Sequence, residues 1–310
     1  MAITLTEAAK LALAGGEVKK AAVIANFASA SEWLAAMPID SISGNAYAYN
    51  REGQLPGVAF RGLNESYTES TGIINPLTEA LKIAGGDLDV DVATVKMMGP
   101  NVRSAHEALK AKALGQELSR VMIKGDSEVN AREFDGLQKR ITGAQLISNG
   151  ATSGGDPLSL INLDATIDAV VGATHILMSK AMRRRMTAAA RSTTIGGNIQ
   201  WAVNEFGRRV MMYNDLPILV PYPGNDGTEP VAFDEAAASG GSTATSIYVV
   251  NFGEMGVKGI QNGTMDVRDL GELQTTPVLR TRVEWLMSMC IEQGRAAARL
   301  YGISNAAVAA

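Results

Sequence analysis

A run of alternating residues near the C-terminal end constrains the fold of this 310-residue chain more than any other feature. Apolar and polar side chains alternate with a period of two from Val278 to Glu292, which predicts a β-strand. About fourteen residues at roughly 3.3 Å each give a strand some 45 Å long, well beyond the usual five or six residues. One face carries Leu279, Thr281, Val283, Trp285, Met287, Met289 and Ile291, and the other carries Arg280, Arg282, Glu284, Ser288 and Glu292. The apolar face needs a cover of similar length.

A long amphipathic helix predicted from Val102 to Met122 matches that need. About twenty residues at 1.5 Å each make a rod roughly 30 Å long. The breaker pair Gly99-Pro100 precedes it, with Asn101 as N-cap, and Lys124-Gly125-Asp126 ends it. Its apolar stripe is Val102, Ala105, Ala108, Ala111, Leu114, Leu118 and Val121. The helix and the strand can bury each other's faces, which predicts an elongated plank.

Two further segments are predicted to need a partner surface. Helices at Thr6–Ala14 and Glu17–Ala36, split by a glycine pair, form an arm that must lie on something else. Residues Ile39–Ser70 predict a hairpin with strands NAYAYN and GVAFRG and the polar tip REGQLPG. An isolated hairpin is only marginally stable in water, so it makes sense if another surface receives it. From the pattern alone, a hairpin on the edge of the chain's own sheet is equally consistent.

The remaining elements follow from shorter patterns. Pro76–Ala84 predicts a helix and DLDVDVATVKMM a strand. An acidic strand face at Asp87, Asp89 and Asp91 is favoured over a calcium loop, because Val92 stands where the turn requires glycine. Helices are expected at Asp164–Ala173 and after Ser179, with HILMS as a strand between them. FGRRVMMYNDLPILVPYP predicts two strands joined at Asn214-Asp215, and Gly224–Ser246 a loop of small residues. SIYVVNF and KGIQNGTMDVRDLG predict the strands before the long one, and RAAARLYGI a final packing segment.

Composition excludes several classes of protein. Hydrophobic residues make up 46% and charged residues 19%, which is typical of a globular chain. A net charge of −4 argues against tight sequence-independent binding of nucleic acid. The single cysteine, Cys290, allows no internal disulfide, and no apolar run is long enough to span a bilayer. We therefore expect a soluble product of the cytosol, without a signal peptide or a membrane partner.

Residues that could carry chemistry are few. His106 and His175 have no metal ligands at suitable spacing, and no nucleotide-binding or hydrolase motif is present. Asp126, Glu133 and Asp135 are the most suggestive carboxylates. We expect Asp126 to cap a turn and Glu133 to open the next helix, with general acid–base work in a hydrolase as a remote alternative. We predict no catalytic residue, metal or cofactor.

Three consecutive arginines lie on the helix that follows Ser179. Arg183, Arg184 and Arg185 stand 100° apart around its axis, so they cannot form one patch. They are either a solvated basic face or residues that face packaged DNA.

The order of these segments resembles that of the major capsid proteins of tailed bacteriophages, which have the Hong Kong 97 capsid fold. The similarity extends from Met1 to Ile303 and includes HILMSKAMRRRMTAAAR and FGRRVMMYNDLPILV. Its most specific pieces are EFDGLQKRI and DLGE…TPVLRTRVEW. The resemblance implies a shell protein of the virion, made of hexamers and pentamers and assembled in the host cytoplasm.

An α+β architecture with a defined domain order is also implied. Residues 1–37 are the N-terminal arm, 38–72 the extended loop, 73–143 the peripheral domain with the spine helix, 144–251 the axial domain, 252–295 the return strands of the peripheral domain, and 296–310 a C-terminal segment packed on the axial domain. Contacts between subunits are expected at Tyr47, Tyr49, Arg51, Glu52, Phe60 and Arg61 of the hairpin and at Arg280, Arg282 and Glu284 of the long strand.

One departure from the family concerns cross-linking. Some members join subunits through an isopeptide bond from a lysine of the extended loop, but no lysine lies between Lys20 and Lys82 here. We expect a non-covalent shell, with a cement protein as a further partner. We also expect a separate scaffolding protein, a portal, and weak non-specific contact with double-stranded DNA. An encapsulin-type nanocompartment, which shares the fold, is the alternative.

Overall fold

The computed structural model, which describes residues 3–29, 31–99, 101–191, 199–203, 209–223, 227–253 and 255–309, mixes helices and strands. The helices are α1 (Leu5–Ala14), α2 (Val18–Ser29), α3 (Glu32–Ala36), α4 (Val92–Met98), α5 (Asn101–Lys124), α6 (Leu137–Arg140), α7 (Leu160–Asp168) and α8 (Lys180–Ala189). The strands are β1 (Ile39–Ser41), β2 (Ala46–Gln54), β3 (Ile73–Ala80), β4 (Lys82–Asp91), β5 (Leu146–Ser148), β6 (His175–Leu177), β7 (Ile199–Val203), β8 (Arg209–Tyr213), β9 (Leu216–Leu219), β10 (Glu235–Ala237), β11 (Gly240–Val250), β12 (Val257–Gln261), β13 (Asp266–Glu272), β14 (Val278–Ile291) and β15 (Ala297–Ile303). Within those residues, no helix combines the length and the apolarity needed to cross a membrane.

The predicted long strand is confirmed as β14, which has 14 residues and lies at the centre of the first sheet. β4 pairs antiparallel along one edge, from Val278 to Met287, while β13 and then β12 pair along the other edge. The predicted alternation also holds, because Thr281, Val283 and Trp285 are buried between more exposed neighbours. Beyond Leu286 both faces of β14 become buried, a change that the alternation does not predict.

The spine helix is confirmed as α5, with 24 residues or about 36 Å at 1.5 Å each. It packs against β4 and β14, and its buried residues contribute to the same core as Val283 and Trp285. Asn101 is its first residue rather than its N-cap. The predicted stop at Lys124 is correct, because α5 ends there. The next residue must be glycine, since a side chain at Gly125 would overlap the carbonyls of Val121 and Phe134.

The expectation that the N-terminal arm needs a foreign surface is wrong. α2 packs on the chain's own α5, and Leu5, Ile24 and Phe27 are buried in the first core. The ring of Phe27 meets that of Trp285 edge-on, with centroids 5.4 Å apart. The single helix predicted for Glu17–Ala36 is two helices, α2 and α3.

A second sheet has the strand order β5-β15-β11-β6-β9-β8-β7, with β10 on the edge of β11. Its core is separate and includes Met182 and Met186 of α8. Two local predictions are confirmed here: the hydroxyl of Ser179 caps α8 by accepting from the Met182 amide at 3.1 Å, and Asn214 and Asp215 form the β8–β9 turn with positive φ. RAAARLYGI supplies β15, which lies between β5 and β11 in this sheet.

Three predictions around the hairpin are wrong. Pro76–Ala84 is not a helix but the end of β3 and the start of β4, since β3 pairs with β2 and β4 pairs with β14. The segment GVAFRG is not a strand; β2 pairs with Ile73–Ala80 instead, and residues 55–72 form the connection. DLDVDVATVKMM is a strand only to Asp91, whose carboxylate caps α4 by accepting from the Ala93 amide at 2.6 Å.

Other differences are shifts of boundary. The helix predicted at Asp164–Ala173 is α7, which begins and ends earlier. The loop predicted for Gly224–Ser246 contains β10 and the start of β11, because its small residues fit a sheet; residues 224–226 lie outside the described part. Glu133 opens no helix, since α6 begins at Leu137.

Candidate assembly surfaces

The hairpin formed by β2 and β3 is anchored at its base, which we define as Ala46–Arg51 with Asn75–Ala80. The hydroxyl of Tyr47 donates to a carboxylate oxygen of Glu292 at 2.6 Å. The guanidinium of Arg51 donates to the carbonyl of Ile291 at 2.5 Å. Tyr49 is buried with Ile260 and Cys290 in a small apolar cluster. The base therefore covers the second face of β14, which explains why both faces are buried there.

An ion-pair cluster lies beneath this base. The ammonium of Lys258 is 2.7 Å from a carboxylate oxygen of Asp40 and 2.8 Å from one of Glu292. Burial alone would lower the pKa of Lys258, but the hydrogen bonds to Asp40 and Glu292 hold it above its usual value. The same carboxylate of Glu292, as acceptor, raises the pKa of the Tyr47 hydroxyl. The cluster fixes the hairpin to the end of β14.

A second anchor joins the hairpin to the segment after α5. Arg140 makes a two-pronged pair with Glu79 of β3, in which Nη2 donates to Oε2 at 2.8 Å. The Arg140 Nε–H also donates to the carbonyl of Asp135 at 2.6 Å. Burial opposes the charge of Arg140, yet the bonds to Glu79 raise its pKa. These anchors lie within the EFDGLQKRI segment and β3, and no spacing in the sequence pairs the two.

The tip of the hairpin, residues 55–72, has different surroundings. Val58, Phe60 and Leu63 have relative exposures of 93%, 104% and 98%. Its internal contacts are local: the Gly62 amide donates to Glu65 Oε2 at 2.8 Å, and Arg61 lies 5.4 Å from the ring centroid of Tyr67. Solvated loops usually place polar residues outward, so an apolar tip indicates an interaction surface.

The predicted contact residues on the hairpin therefore divide into two groups. Tyr47, Tyr49 and Arg51 are engaged within the chain, at the base. Glu52, which is paired near the end of β2, and Phe60 and Arg61, which lie in the tip, are all exposed. Val58 and Leu63 were not predicted as contact residues. An apolar residue at every second or third position of a glycine-flanked loop could have indicated them.

The predicted polar face of β14 pairs largely with the neighbouring strands. Arg280 holds Asp89 of β4 through two bonds of 2.7 and 2.6 Å, and Arg282 holds Asp87 through two of 2.7 and 2.8 Å. The bond from Arg282 lowers the pKa of Asp87. Glu284 pairs with Arg268 of β13. These charges form a ladder across the sheet, exposed enough to meet a neighbour as well.

Of the three carboxylates of the hydrolase alternative, Asp126 and Asp135 both lie near the ammonium of Lys139, the second at 3.4 Å, and Asp126 and Glu133 line one cavity. Asp126 pairs with Lys139 at 2.5 Å and caps a turn by accepting from the Glu128 amide at 2.9 Å, as predicted. The bond from Lys139 is the main cause of its lowered pKa. Glu133 pairs with Arg120 at 2.9 Å. A carboxylate such as Asp126, whose pKa is lowered by its bond to Lys139, is a poor general acid.

Histidines and potential metal ligands are the remaining candidates for catalytic chemistry. Burial lowers the pKa of His175 to about 4, so it is neutral at physiological pH. No group of three or more potential metal ligands occurs in the described residues.

The three consecutive arginines of α8 separate, as their 100° spacing predicts. Arg185 donates to the side chain and the carbonyl of Asn305 at 2.9 and 2.8 Å. Arg183 and Arg184 instead line a cavity with Arg191 and Arg209.

Comparison with known proteins was made by sequence and by structure. No family model and no curated protein matches the sequence. The structure is similar to the holo-SrpI encapsulin complex from Synechococcus elongatus PCC 7942, with a TM-score of 0.61 and 16% identity over 88% of each chain. It is also similar to a structure of Microbacterium phage Oxtober96, with a TM-score of 0.62 and 12% identity over 87% of this chain and 90% of that one. The capsid of a native GTA particle matches with a TM-score of 0.61 and 12% identity over 86% and 88%.

The chain has the Hong Kong 97 capsid fold. In this α+β fold, helix α5 packs against strand β14, and these are the two elements that the sequence predicts most strongly. The β2–β3 hairpin leaves the first sheet beside them. The Hong Kong 97 fold is shared by capsids and an encapsulin among the matches, so the fold alone does not separate these two kinds of shell.

Proposed function

We propose that the chain is the major capsid protein of a tailed double-stranded DNA bacteriophage. Its copies assemble as hexamers and pentamers into the icosahedral head, in the host cytoplasm, and remain in the virion. The observation that carries this proposal is the hairpin tip, whose apolar side chains Val58, Phe60 and Leu63 are not covered by the part of the chain that the structure describes. In a shell of identical copies, each tip is covered by a neighbour, and such head-to-tail contacts close into rings.

The domain division stays part of the proposal. The arm is 1–37, the extended loop 38–72, the peripheral domain 73–143 with return strands 252–295, the axial domain 144–251, and the C-terminal segment 296–310. Two observations support it: the first sheet and α5 share one core, and α8 with most of the second sheet shares another.

We propose that the subunits of the shell are held together by non-covalent contacts. The sequence has no lysine from Ala21 to Leu81, so the hairpin offers no amine for an isopeptide bond. Lys82, at the hairpin's foot, donates to the Ala131 carbonyl at 2.7 Å. Boiling purified particles in detergent is expected to give only the monomer band, and a ladder of linked bands would contradict this.

Further partners belong to the same proposal: a separate scaffolding protein, a portal, a cement protein, and packaged DNA held by weak non-specific contacts. The net charge of −4 supports weak rather than tight contact with DNA.

An encapsulin-type nanocompartment is the second candidate, because the Synechococcus encapsulin complex matches as well as the phage structure does. The full chain, isolated with its particles from its natural source, distinguishes the two. Electron microscopy and nuclease digestion are the measurements. Shells with nuclease-protected double-stranded DNA support the phage head, and shells with protein cargo but no protected DNA support the nanocompartment. A small oligomer that never forms shells would overturn both.

A further inference from the structure

A basic cavity of about 810 Å³ opens between α3, α8 and the β8–β9 hairpin. Four guanidinium groups line it: those of Arg183 and Arg184 on α8, Arg191 just beyond that helix, and Arg209 at the start of β8. Arg184 and Arg191 are seven residues apart, a spacing that keeps both on one side of a helical segment. The volume is within the range of sites that enclose a ligand.

Among the described residues, little negative charge offsets the positive charge of this cavity. Glu32 is the one acidic residue among the lining residues that the structure describes. Its carboxylate already accepts from the Tyr222 hydroxyl at 3.1 Å and from the Val220 amide at 3.3 Å. No carboxylate in the described ranges forms an ion pair with any of the four arginines, in contrast to Arg280 and Arg282 on the first sheet. Four unpaired guanidinium groups around one concavity favour an anion between them.

An aromatic ring completes the site. The indole of Trp201 lines the cavity and is 49% exposed, unlike the buried Trp33 and Trp285. An exposed indole beside arginines is a platform on which a base can stack, because every base has a flat π-face. Guanidinium groups match phosphate oxygens in geometry and charge.

We propose that this cavity binds single-stranded nucleic acid, with phosphates on Arg183, Arg184, Arg191 and Arg209 and one base on Trp201. A single strand fits better than a duplex, since its bases are free to leave the stack and enter a concave site. An acidic peptide could pair with the arginines but has no base for the indole. The inference goes beyond the proposed function, because binding of a short strand requires neither shell assembly nor DNA packaging.

Fluorescence anisotropy on the full unassembled chain tests this, with labelled dT12, the corresponding 12-base-pair duplex and polyglutamate as probes. The single strand is expected to bind more tightly than both. A salt series measures how many phosphates are engaged. Each phosphate contributes about −0.7 to the slope of log affinity against log salt concentration for a single strand, so four give about −2.8.

Variants assign the binding to this cavity. Arg184→Gln is expected to make the slope less steep by about 0.7. Trp201→Ala is expected to weaken binding about tenfold and to leave the slope unchanged, and Trp201→Phe to restore part of the affinity. Arg132→Gln is the matched control, since Arg132 is an exposed arginine in the loop after α5 and lies outside the cavity. Circular dichroism checks that each variant is folded.

Several results would overturn the proposal: equal affinity for duplex and single strand, tighter binding of polyglutamate, or an equal loss in the Arg132→Gln control. Assembly is measured separately by sedimentation. A chain that forms shells but does not bind dT12 would therefore refute this inference without contradicting the proposed function.

Discussion

The base and the tip of the β2–β3 hairpin differ in how many of their side chains have partners elsewhere in the chain. At the base, Tyr47, Arg51 and Glu79 each have a specific partner elsewhere in the same chain. At the tip, residues 55–72 contact mainly one another, and three large apolar side chains are almost fully exposed. Under the proposed function, the residues that stabilise the monomer and the residues that join copies are therefore separable within one hairpin.

The largest expected effect separates assembly from stability. The triple variant Val58→Ser, Phe60→Ser, Leu63→Ser is expected to abolish shells, because it removes the apolar surface that a neighbour would cover. Its free energy of unfolding should stay within about 0.5 kcal/mol of the natural chain, as for other exposed substitutions. Electron microscopy and urea unfolding measure the two quantities.

The matched control keeps the tip apolar with Val58→Ile, Phe60→Leu and Leu63→Met. It should still form shells. Normal assembly of the serine variant would show that the tip is not an interface.

The rate of cysteine alkylation can be compared between the base and the tip. Burial raises the pKa of the Cys290 thiol, which lies on β14 beneath the base, to about 12. At pH 8 its thiolate fraction is about one in ten thousand, against about a quarter for a free thiol of pKa near 8.5, so alkylation should be about a thousandfold slower. In a Ser66→Cys variant, the tip thiol should react at the rate of a free thiol in unassembled protein and become protected in shells.

Mass spectrometry after timed iodoacetamide treatment reads both sites in one sample. Equal rates at residues 66 and 290 in folded, unassembled protein would mean that the base opens as readily as the tip.

Loss of the Glu79 carboxylate is expected to destabilise the folded chain. The side chains of Arg140 and Glu79 are only 11% and 19% exposed, so Glu79→Leu leaves a buried charge without its partner. The expected cost is about 3 kcal/mol in the free energy of unfolding, measured by urea denaturation. Glu52→Leu on the same hairpin is the control and should change stability by less than about 0.5 kcal/mol, since Glu52 is exposed. Equal losses in both variants would contradict the comparison.

The smallest effect concerns two tyrosine hydroxyls. Tyr47→Phe removes the donor to Glu292 and should cost about 1 kcal/mol in the free energy of unfolding. Tyr67→Phe at the tip should cost nothing measurable, because its ring is 64% exposed and the substitution keeps the ring under Arg61. Thermal unfolding of the two variants side by side measures this, and a larger loss for Tyr67→Phe would reverse our assignment.

Local signals account for what the sequence predicts correctly. Alternation specifies β14, three-and-four spacing specifies α5, Ser179 caps α8, and Asn214-Asp215 forms a turn that few other residue pairs accept. Each of these depends on residues close in sequence.

Pairings between distant segments account for what the sequence does not predict. Leu77, Ala80 and Leu81 have the spacing of a helix, yet their segment is strand because β2 and β14 supply hydrogen-bonding edges on either side of Leu81. The Arg140–Glu79 anchor and the basic cavity likewise join residues far apart in the chain. The seven-residue spacing of Arg184 and Arg191 is visible in the sequence. Trp201 and Arg209 reach the same cavity only through the fold of the second sheet.

The uneven burial of α5 has a mechanical consequence. Within that helix, the buried side chains begin at Ala111, whereas the first turns rest on the sheet through polar contacts such as Arg103 with Asp269 and Thr281. The helix thus resembles a beam clamped at its C-terminal end. Under the proposed assembly, lateral load from neighbouring copies is expected to flex residues 101–110 first, because the buried side chains of the helix begin only at Ala111.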